Sequence, residues 1–178
     1  MVIKSINKLL IRALCGILAI FMVVMIMSVV WQVFTRFVIK DPSSFTDELS
    51  RYLLIWIGVL GGAYTFAIKR HLALEIIGPK LGRNGQLILS IIINFIILAF
   101  SSVVFSYGGY DLVTSTLKNG QISPGIVIFG NNLLIGYVYL AVPLAGAIIS
   151  YFGVVDIVSS FVALIKKESN VPEEGVSL

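Results

Sequence analysis

The sequence has 178 residues, of which 58% are hydrophobic and only 12% are charged, and its formal net charge at pH 7 is +4. Soluble domains carry about 25% charged residues, so this chain cannot cover a water-exposed surface with polar groups. Its apolar residues form long blocks instead of amphipathic stripes, and its basic residues do not alternate with aromatic ones. The composition therefore excludes a soluble enzyme or a nucleic-acid-binding domain and predicts an all-α integral membrane protein.

Four blocks without charged residues or histidine can each hold a membrane-spanning helix: 13–35, 52–68, 84–110 and 119–155. A hydrocarbon core of about 30 Å needs about 20 helical residues, so only the second block is marginal. Extending it back to Leu49 makes it long enough. We predict spans at about 13–35, 49–68, 86–110 and 126–155 in a membrane domain of residues 1–165, followed by a cytoplasmic polar tail of residues 166–178.

The first loop carries the most informative polar residues of the chain. Ser44 and Asp47 fit a capping box in which Ser44 is the N-cap of a helix. Asp47 and Glu48 precede Arg51 by four and three residues, so both carboxylates can reach its guanidinium on one helix face. The opposite face is apolar. This pattern predicts a short amphipathic helix in the membrane interface that bends into the second span.

Two interpretations of this acidic pair remain open. In the first, both acids pair with Arg51 and with backbone amides, and so fix how the helix enters the membrane. In the second, one carboxylate stays free to meet a basic residue of an incoming protein, where charge mainly sets the rate of encounter.

Small residues in the second and fourth spans predict close helix packing. Gly58 and Gly62 form a Gly-x-x-x-Gly pair, and Ala141 and Ala145 repeat that spacing just before Gly146. Packing inside one four-helix bundle accounts for most of these positions. The last apolar block also exceeds one membrane thickness, so it is expected to tilt, to extend into the cytoplasm or to contact a partner.

Proline interrupts the fourth span. Pro143 lacks a backbone N–H and frees the carbonyl of Tyr139, which predicts a kink at this point.

The predicted spans hold no ionisable residue at depth. Transporters that act alone place such groups near the bilayer midplane to bind substrate or a coupling ion. Asn94 is expected to make an interhelical hydrogen bond, with a role as a substrate ligand as the alternative. The sequence therefore predicts that this chain moves no substrate by itself.

Basic residues predict the orientation, because short cytoplasmic loops are enriched in lysine and arginine. One side would carry the amino end, the second loop and the tail, whose basic residues are Lys4, Lys8, Arg12, Lys69, Arg70, Lys80, Arg83, Lys166 and Lys167. The other side would carry only Arg36, Lys40, Arg51 and Lys118. Both termini are thus expected in the cytoplasm, and the positive charge is interpreted as contact with anionic membrane lipids.

Motifs for catalysis, cofactors or metals are absent from the sequence. It has no phosphate-binding loop, no His-Glu-x-x-His and no Gly-x-Ser-x-Gly. His71 has no partners at metal-ligand spacing and is interpreted as an interfacial side chain that caps the second helix. Cys15 is the only cysteine, so no disulfide within the chain is possible. We therefore predict no enzyme activity, no cofactor and no metal site.

Several of these residues together resemble a known family. The run Asp47-Glu48-Leu49-Ser50-Arg51-Tyr52, followed by Trp56, Gly58, Gly61 and His71-Leu72-Ala73-Leu74, is similar to the small membrane subunit of tripartite ATP-independent periplasmic (TRAP) transporters, the DctQ type. Residues 121–124 and 137–143 resemble that family at and after its third loop. The resemblance covers roughly residues 10–155, and it departs from the family at Phe45, Ser123 and Glu75, where tryptophan, threonine and aspartate are common.

The resemblance implies a multi-pass protein of the bacterial inner membrane that acts as a scaffold in sodium-coupled uptake. Its partners would be a large membrane subunit, which carries the substrate, and a periplasmic substrate-binding protein. The substrate would be an organic acid: a dicarboxylate, a keto acid or a sugar acid such as sialic acid. Residues expected at the partner or scaffold interface are Asp47, Glu48, Arg51, Trp56, Gly58, Gly62, His71, Tyr139 and Pro143.

Two other functions fit the same residues. The chain could be an accessory or assembly subunit of an unrelated membrane complex, or a membrane enzyme whose site is shared with a partner.

Overall fold

The computed structural model describes residues 2–68, 82–128 and 130–166. Its helices are α1 (Val2–Phe34), α2 (Ser44–Ala67), α3 (Arg83–Phe100), α4 (Gly109–Lys118), α5 (Ile135–Tyr139) and α6 (Ala141–Lys166). Wider π-helical turns extend α1 over Thr35–Ile39 and join α3 to α4 over Ser101–Gly108. Two strands, β1 (Ile122–Ile128) and β2 (Asn131–Leu134), precede α5.

Among the described residues, four helical segments are long and apolar enough to cross a membrane, which confirms the predicted integral membrane fold. The first three are longer than predicted, because a helix continues past the charged residues at which an apolar block ends. Asp111, for example, lies inside α4. The segments, here called the first to fourth spans, are Ser5–Ile39, Ser44–Ala67, Gly85–Lys118 and Ile135–Ala163.

The predicted start of the fourth span at residue 126 is wrong, because β1 and β2 form an antiparallel hairpin there. Its register pairs Ile128 with Asn131 and Ile122 with Leu134, with a bulge between Ile122 and Val127. Pro124 lies in this bulge, where its missing N–H costs no ladder hydrogen bond. The fourth span starts only at Ile135, and α6 continues to Lys166, past the predicted end at residue 155. The rest of the predicted tail lies outside the described residues.

The first loop also differs from its prediction. α2 begins at Ser44 and runs unbroken to Ala67, so the expected interfacial helix is the first part of the second span and no separate element. Its N-cap is Ser43, whose hydroxyl accepts from the Thr46 amide, one residue before the predicted cap at Ser44. Two adjacent serines offer the same capping chemistry, and sequence spacing alone does not choose between them.

The four spans form an open layer one helix thick. The first span packs on the second, the second on the fourth, and the fourth on the third. Among the described residues, no contact of similar extent joins the first span to the third, so the four spans do not close into a ring. The core lies along the second span and consists of Ile11, Leu60, Ala63, Phe66, Ala67, Ala145, Ile149 and Phe152.

The third and fourth spans make the closest helix contact. A Cβ atom at Gly146 would lie 2.8 Å from the Ser106 backbone nitrogen, so only glycine fits there. The Ser101 hydroxyl donates to the Gly146 carbonyl at 3.0 Å. The helix is interrupted at Leu140, between α5 and α6, as the position of Pro143 predicted. The Pro143 ring packs on Gly109, where a Cβ atom would lie 3.0 Å from its Cδ.

Candidate functional site

Asp47 joins the first two spans at the end of the layer that carries the β-hairpin, here called the hairpin end. The Gln32 side-chain amide donates to Asp47 Oδ1 at 2.6 Å. The other oxygen, Oδ2, forms an ion pair with Arg51, one helical turn further on. The sequence spacing predicted the pair with Arg51. It gave no sign of Gln32, which lies in a different helix.

Glu48 contacts a different element from Asp47. Its Oε2 accepts a hydrogen bond from the hydroxyl of Ser123, which lies in β1 and is completely buried. Beside this contact the strand approaches α2 closely, because a Cβ atom at Gly125 would lie 2.9 Å from the Ser44 carbonyl oxygen. The expectation that both acids pair with Arg51 is therefore wrong for Glu48.

The geometry bears on both interpretations of the acidic pair. Each carboxylate has a partner within the chain, so neither is the free group that the second interpretation requires. The Arg51 side chain is 68% exposed and that of Asp47 is 35% exposed. Water screens such a pair, so it stabilises the fold by at most about 1 kcal/mol. The group of this cluster that faces outward is the Arg51 guanidinium.

Gly58 and Gly62 do not pack within the chain. A Cβ atom at either position would meet no heavy atom within 4 Å, so the expectation that they pack in a four-helix bundle is wrong. Ala141 and Ala145 are completely buried, and for them the expectation is confirmed. The face of α2 that carries Gly58 and Gly62, here called the glycine face, is therefore open.

An apolar groove runs along the glycine face. It has a volume of about 550 Å³ and is open on one side. The third and fourth spans supply its other wall. Its lining includes Gly58, Gly62, Thr65, Ile97, Phe105 and Ile149.

The remaining predicted interface residues lie apart from the glycine face. The Trp56 ring packs edge-on against Phe21 of the first span, with ring centroids 5.8 Å apart, and so joins the first two spans. Tyr139 is the last residue of α5 and is half-buried, and Pro143 packs against Gly109. His71 lies outside the described residues.

Polar residues inside the spans differ in part from their predictions. Asn94 is 2% exposed and donates to the Ser90 carbonyl at 2.9 Å, within its own helix, so the predicted interhelical bond is not made by its amide nitrogen. Asp156 is 7% exposed and lies within the fourth span. The sequence prediction missed it because the charge-free block ends one residue earlier.

Comparison with known proteins identifies the family. The family model described as the DctQ component of tripartite ATP-independent periplasmic transporters matches residues 25–163. A TRAP transporter small permease protein of Haemophilus influenzae is 27% identical over 163 residues, covering 92% of this chain and 94% of its own length. The sialic acid TRAP transporter small permease protein SiaQ of Vibrio cholerae is 23% identical over 108 residues, covering 56% of this chain and 62% of its own length. This chain therefore belongs to the DctQ component family of TRAP transporters, a family of transporter permeases and not of enzymes.

Proposed function

We propose that this chain is the scaffold subunit of a sodium-coupled TRAP transporter. It would hold the large membrane subunit in place while that subunit carries inward an organic acid delivered by a periplasmic binding protein. The observation that carries the proposal is the open glycine face. Gly58 and Gly62 leave a groove that no side chain of the described residues fills.

A partner helix would use this groove well. In a membrane the hydrophobic effect does not drive helices together, so association depends on close packing, and glycine allows backbones to approach. Other exposed positions of the second span carry bulky side chains, as at Leu54, which is 60% exposed. Large aliphatic groups suit contact with lipid. An open stripe of glycine on the same helix favours a protein partner.

The substrate class rests on the family and its relatives. The Vibrio cholerae relative is named for sialic acid, a sugar acid, and this supports an organic acid with a carboxylate. Among the described residues no lysine or arginine is buried within a span, so a substrate carboxylate would meet no buried positive charge there. We therefore assign substrate binding to the large subunit, and sodium binding with it, because substrate and coupling ion bind in the same region of a secondary transporter.

Orientation can be tested by accessibility labelling. We propose that both termini are cytoplasmic and that the hairpin end faces the periplasm, on the basis of the asymmetry of basic residues. In a Cys15→Ala background, single cysteines would be treated in intact cells with a membrane-impermeant maleimide. The positions are Ser5, Ser44, Asn84, Ser115 and Ser169. Labelling is expected only at Ser44 and Ser115, and labelling at any of the other three would contradict this orientation.

Uptake should need the large subunit. In proteoliposomes with an inward sodium gradient, the complete set of subunits is expected to accumulate one acid from a panel of dicarboxylates, keto acids and sialic acid. This chain alone should accumulate none, because the basic residues of its described spans lie near the span ends and not at depth, where a substrate anion would bind. They are Lys8, Arg12, Arg36, Arg51 and Lys118. Empty liposomes give the background. Sodium-dependent uptake by the chain alone would show that it is a transporter in its own right.

A further inference from the structure

We propose that the hydrogen bond between Glu48 and Ser123 is a latch that fixes the angle between the two halves of the helix layer. The halves are the first two spans and the last two spans. Resting on the proposed function, the same latch would set the shape of the glycine groove that receives the large subunit.

The need for a latch follows from the open layer. Within the membrane the two halves meet mainly where the second span packs on the fourth. Beside this contact, an exposed hydrogen bond runs from the Tyr151 hydroxyl to Asn7 Oδ1 at 3.0 Å. One line of helix packing with one exposed hydrogen bond beside it leaves rotation about that line weakly opposed. A closed bundle would have a second seam, between the first and third spans, but no such seam is present among the described residues.

The β-hairpin is fixed to the second half. The Ile135 amide donates to the Gln121 carbonyl at 2.9 Å, which closes the hairpin at the start of α5. The Gln121 amide donates to the Thr116 carbonyl of α4 at 3.3 Å. Gly136 packs on Leu117, since a Cβ atom at Gly136 would lie 2.5 Å from Leu117 Cγ. The hairpin therefore moves with the third and fourth spans.

The contact of β1 with α2 connects the hairpin to the first half. Ser123 is completely buried and donates to Glu48, and Gly125 lies directly on the first turn of α2. A hydrogen bond to an ionised acceptor is stronger than one between neutral groups, and a buried donor that loses it stays unsatisfied. The two halves are thus held both by the contacts between their spans and, at the hairpin end, by the contact of β1 with α2.

The adjacent acid supplies a matched control. Asp47 accepts from Gln32, and this contact joins two spans of the same half. Removing Gln32 should loosen the first span without releasing the hairpin. Removing the Ser123 hydroxyl should release the hairpin without loosening the first span.

The test uses the full chain in lipid nanodiscs, alone and with the large subunit, in a Cys15→Ala background. Hydrogen exchange of the hairpin amides reports local opening. Electron-paramagnetic-resonance distances between spin labels at Val33 and Tyr110, which are exposed on the first and third spans, report the angle between the halves. Thermal unfolding reports global stability. The variants are Ser123→Ala, Glu48→Leu, Ser123→Thr and Gln32→Leu.

Ser123→Ala and Glu48→Leu are expected to speed hydrogen exchange of the hairpin amides by about tenfold or more. They should also shift or broaden the distribution of distances between the two spin labels. Ser123→Thr keeps the hydroxyl and should match the wild type, as should Gln32→Leu in hairpin exchange. An unchanged distance in Ser123→Ala, or the same hairpin response in Gln32→Leu, would overturn the latch. If Ser123→Ala fails to fold, Glu48→Gln replaces it, because its amide oxygen is a weaker acceptor for the Ser123 hydroxyl. Glu48→Gln should then shift the distance between the spin labels by an intermediate amount. A wild-type distance in Glu48→Gln would overturn the latch.

Binding of the large subunit separates the latch from the proposed function. A shifted distance with weaker binding supports both. A shifted distance with wild-type binding supports the latch and overturns its connection to the groove.

Discussion

Gly62→Leu is expected to weaken association with the large membrane subunit while this chain stays folded. Within the chain a Cβ atom at Gly62 meets nothing within 4 Å, so a larger side chain has room in the isolated subunit. In the complex the leucine would fill the groove that we assign to a partner helix. Overpacking a tight contact costs about 1–3 kcal/mol, which weakens binding by about fivefold to more than a hundredfold.

The measurement is co-purification of the two membrane subunits, followed by uptake in proteoliposomes. Gly16→Leu is the matched control, because Gly16 is also a helical glycine with open space around it, on the first span and away from the groove. It should leave both quantities unchanged. Wild-type co-purification of Gly62→Leu would show that the glycine face faces lipid and that the scaffold contact lies elsewhere.

The number of spans was predictable from the sequence, while most of their boundaries were not. Hydropathy is summed over a whole span, so one charged residue such as Asp111 does not end a helix that continues beyond the membrane. The hairpin was missed for a related reason. Its residues carry no charge, and a search for blocks without charges does not separate a strand from a helix. The signals that could have shown the hairpin are its turn residues, Pro124, Gly125 and 130–132.

The contacts of the candidate site divide according to sequence separation. The pair of Asp47 with Arg51 is one helical turn, and its spacing predicted it correctly. Glu48 and Ser123 lie 75 residues apart, and only the packing of the hairpin on α2 brings them together. Similarly, the spacing of Gly58 and Gly62 shows that a helix can approach. Which helix does so depends on the order of the spans in the layer.

Gly146→Ala is expected to lower the free energy of unfolding of the chain by about 1–3 kcal/mol, even though alanine is the better helix former. The added methyl group would lie 2.7 Å from the Ser106 hydroxyl oxygen and 2.8 Å from a backbone nitrogen. A backbone atom cannot rotate away as a side chain does, so the third and fourth spans must separate. Their separation would also lengthen the hydrogen bond from Ser101 to the Gly146 carbonyl.

The same substitution at Gly16 should have the opposite sign. Gly16 lies inside α1 with nothing within 4 Å of its Cβ position, so alanine brings only its helical preference, about 0.5–1 kcal/mol of added stability. Thermal unfolding of both variants in one detergent compares them directly. If Gly146→Ala were as stable as Gly16→Ala, the third and fourth spans would not be in tight contact, and the order of helices in the layer would have to be revised. A loss of stability at Gly146 alone would confirm that the third and fourth spans pack closely at this glycine.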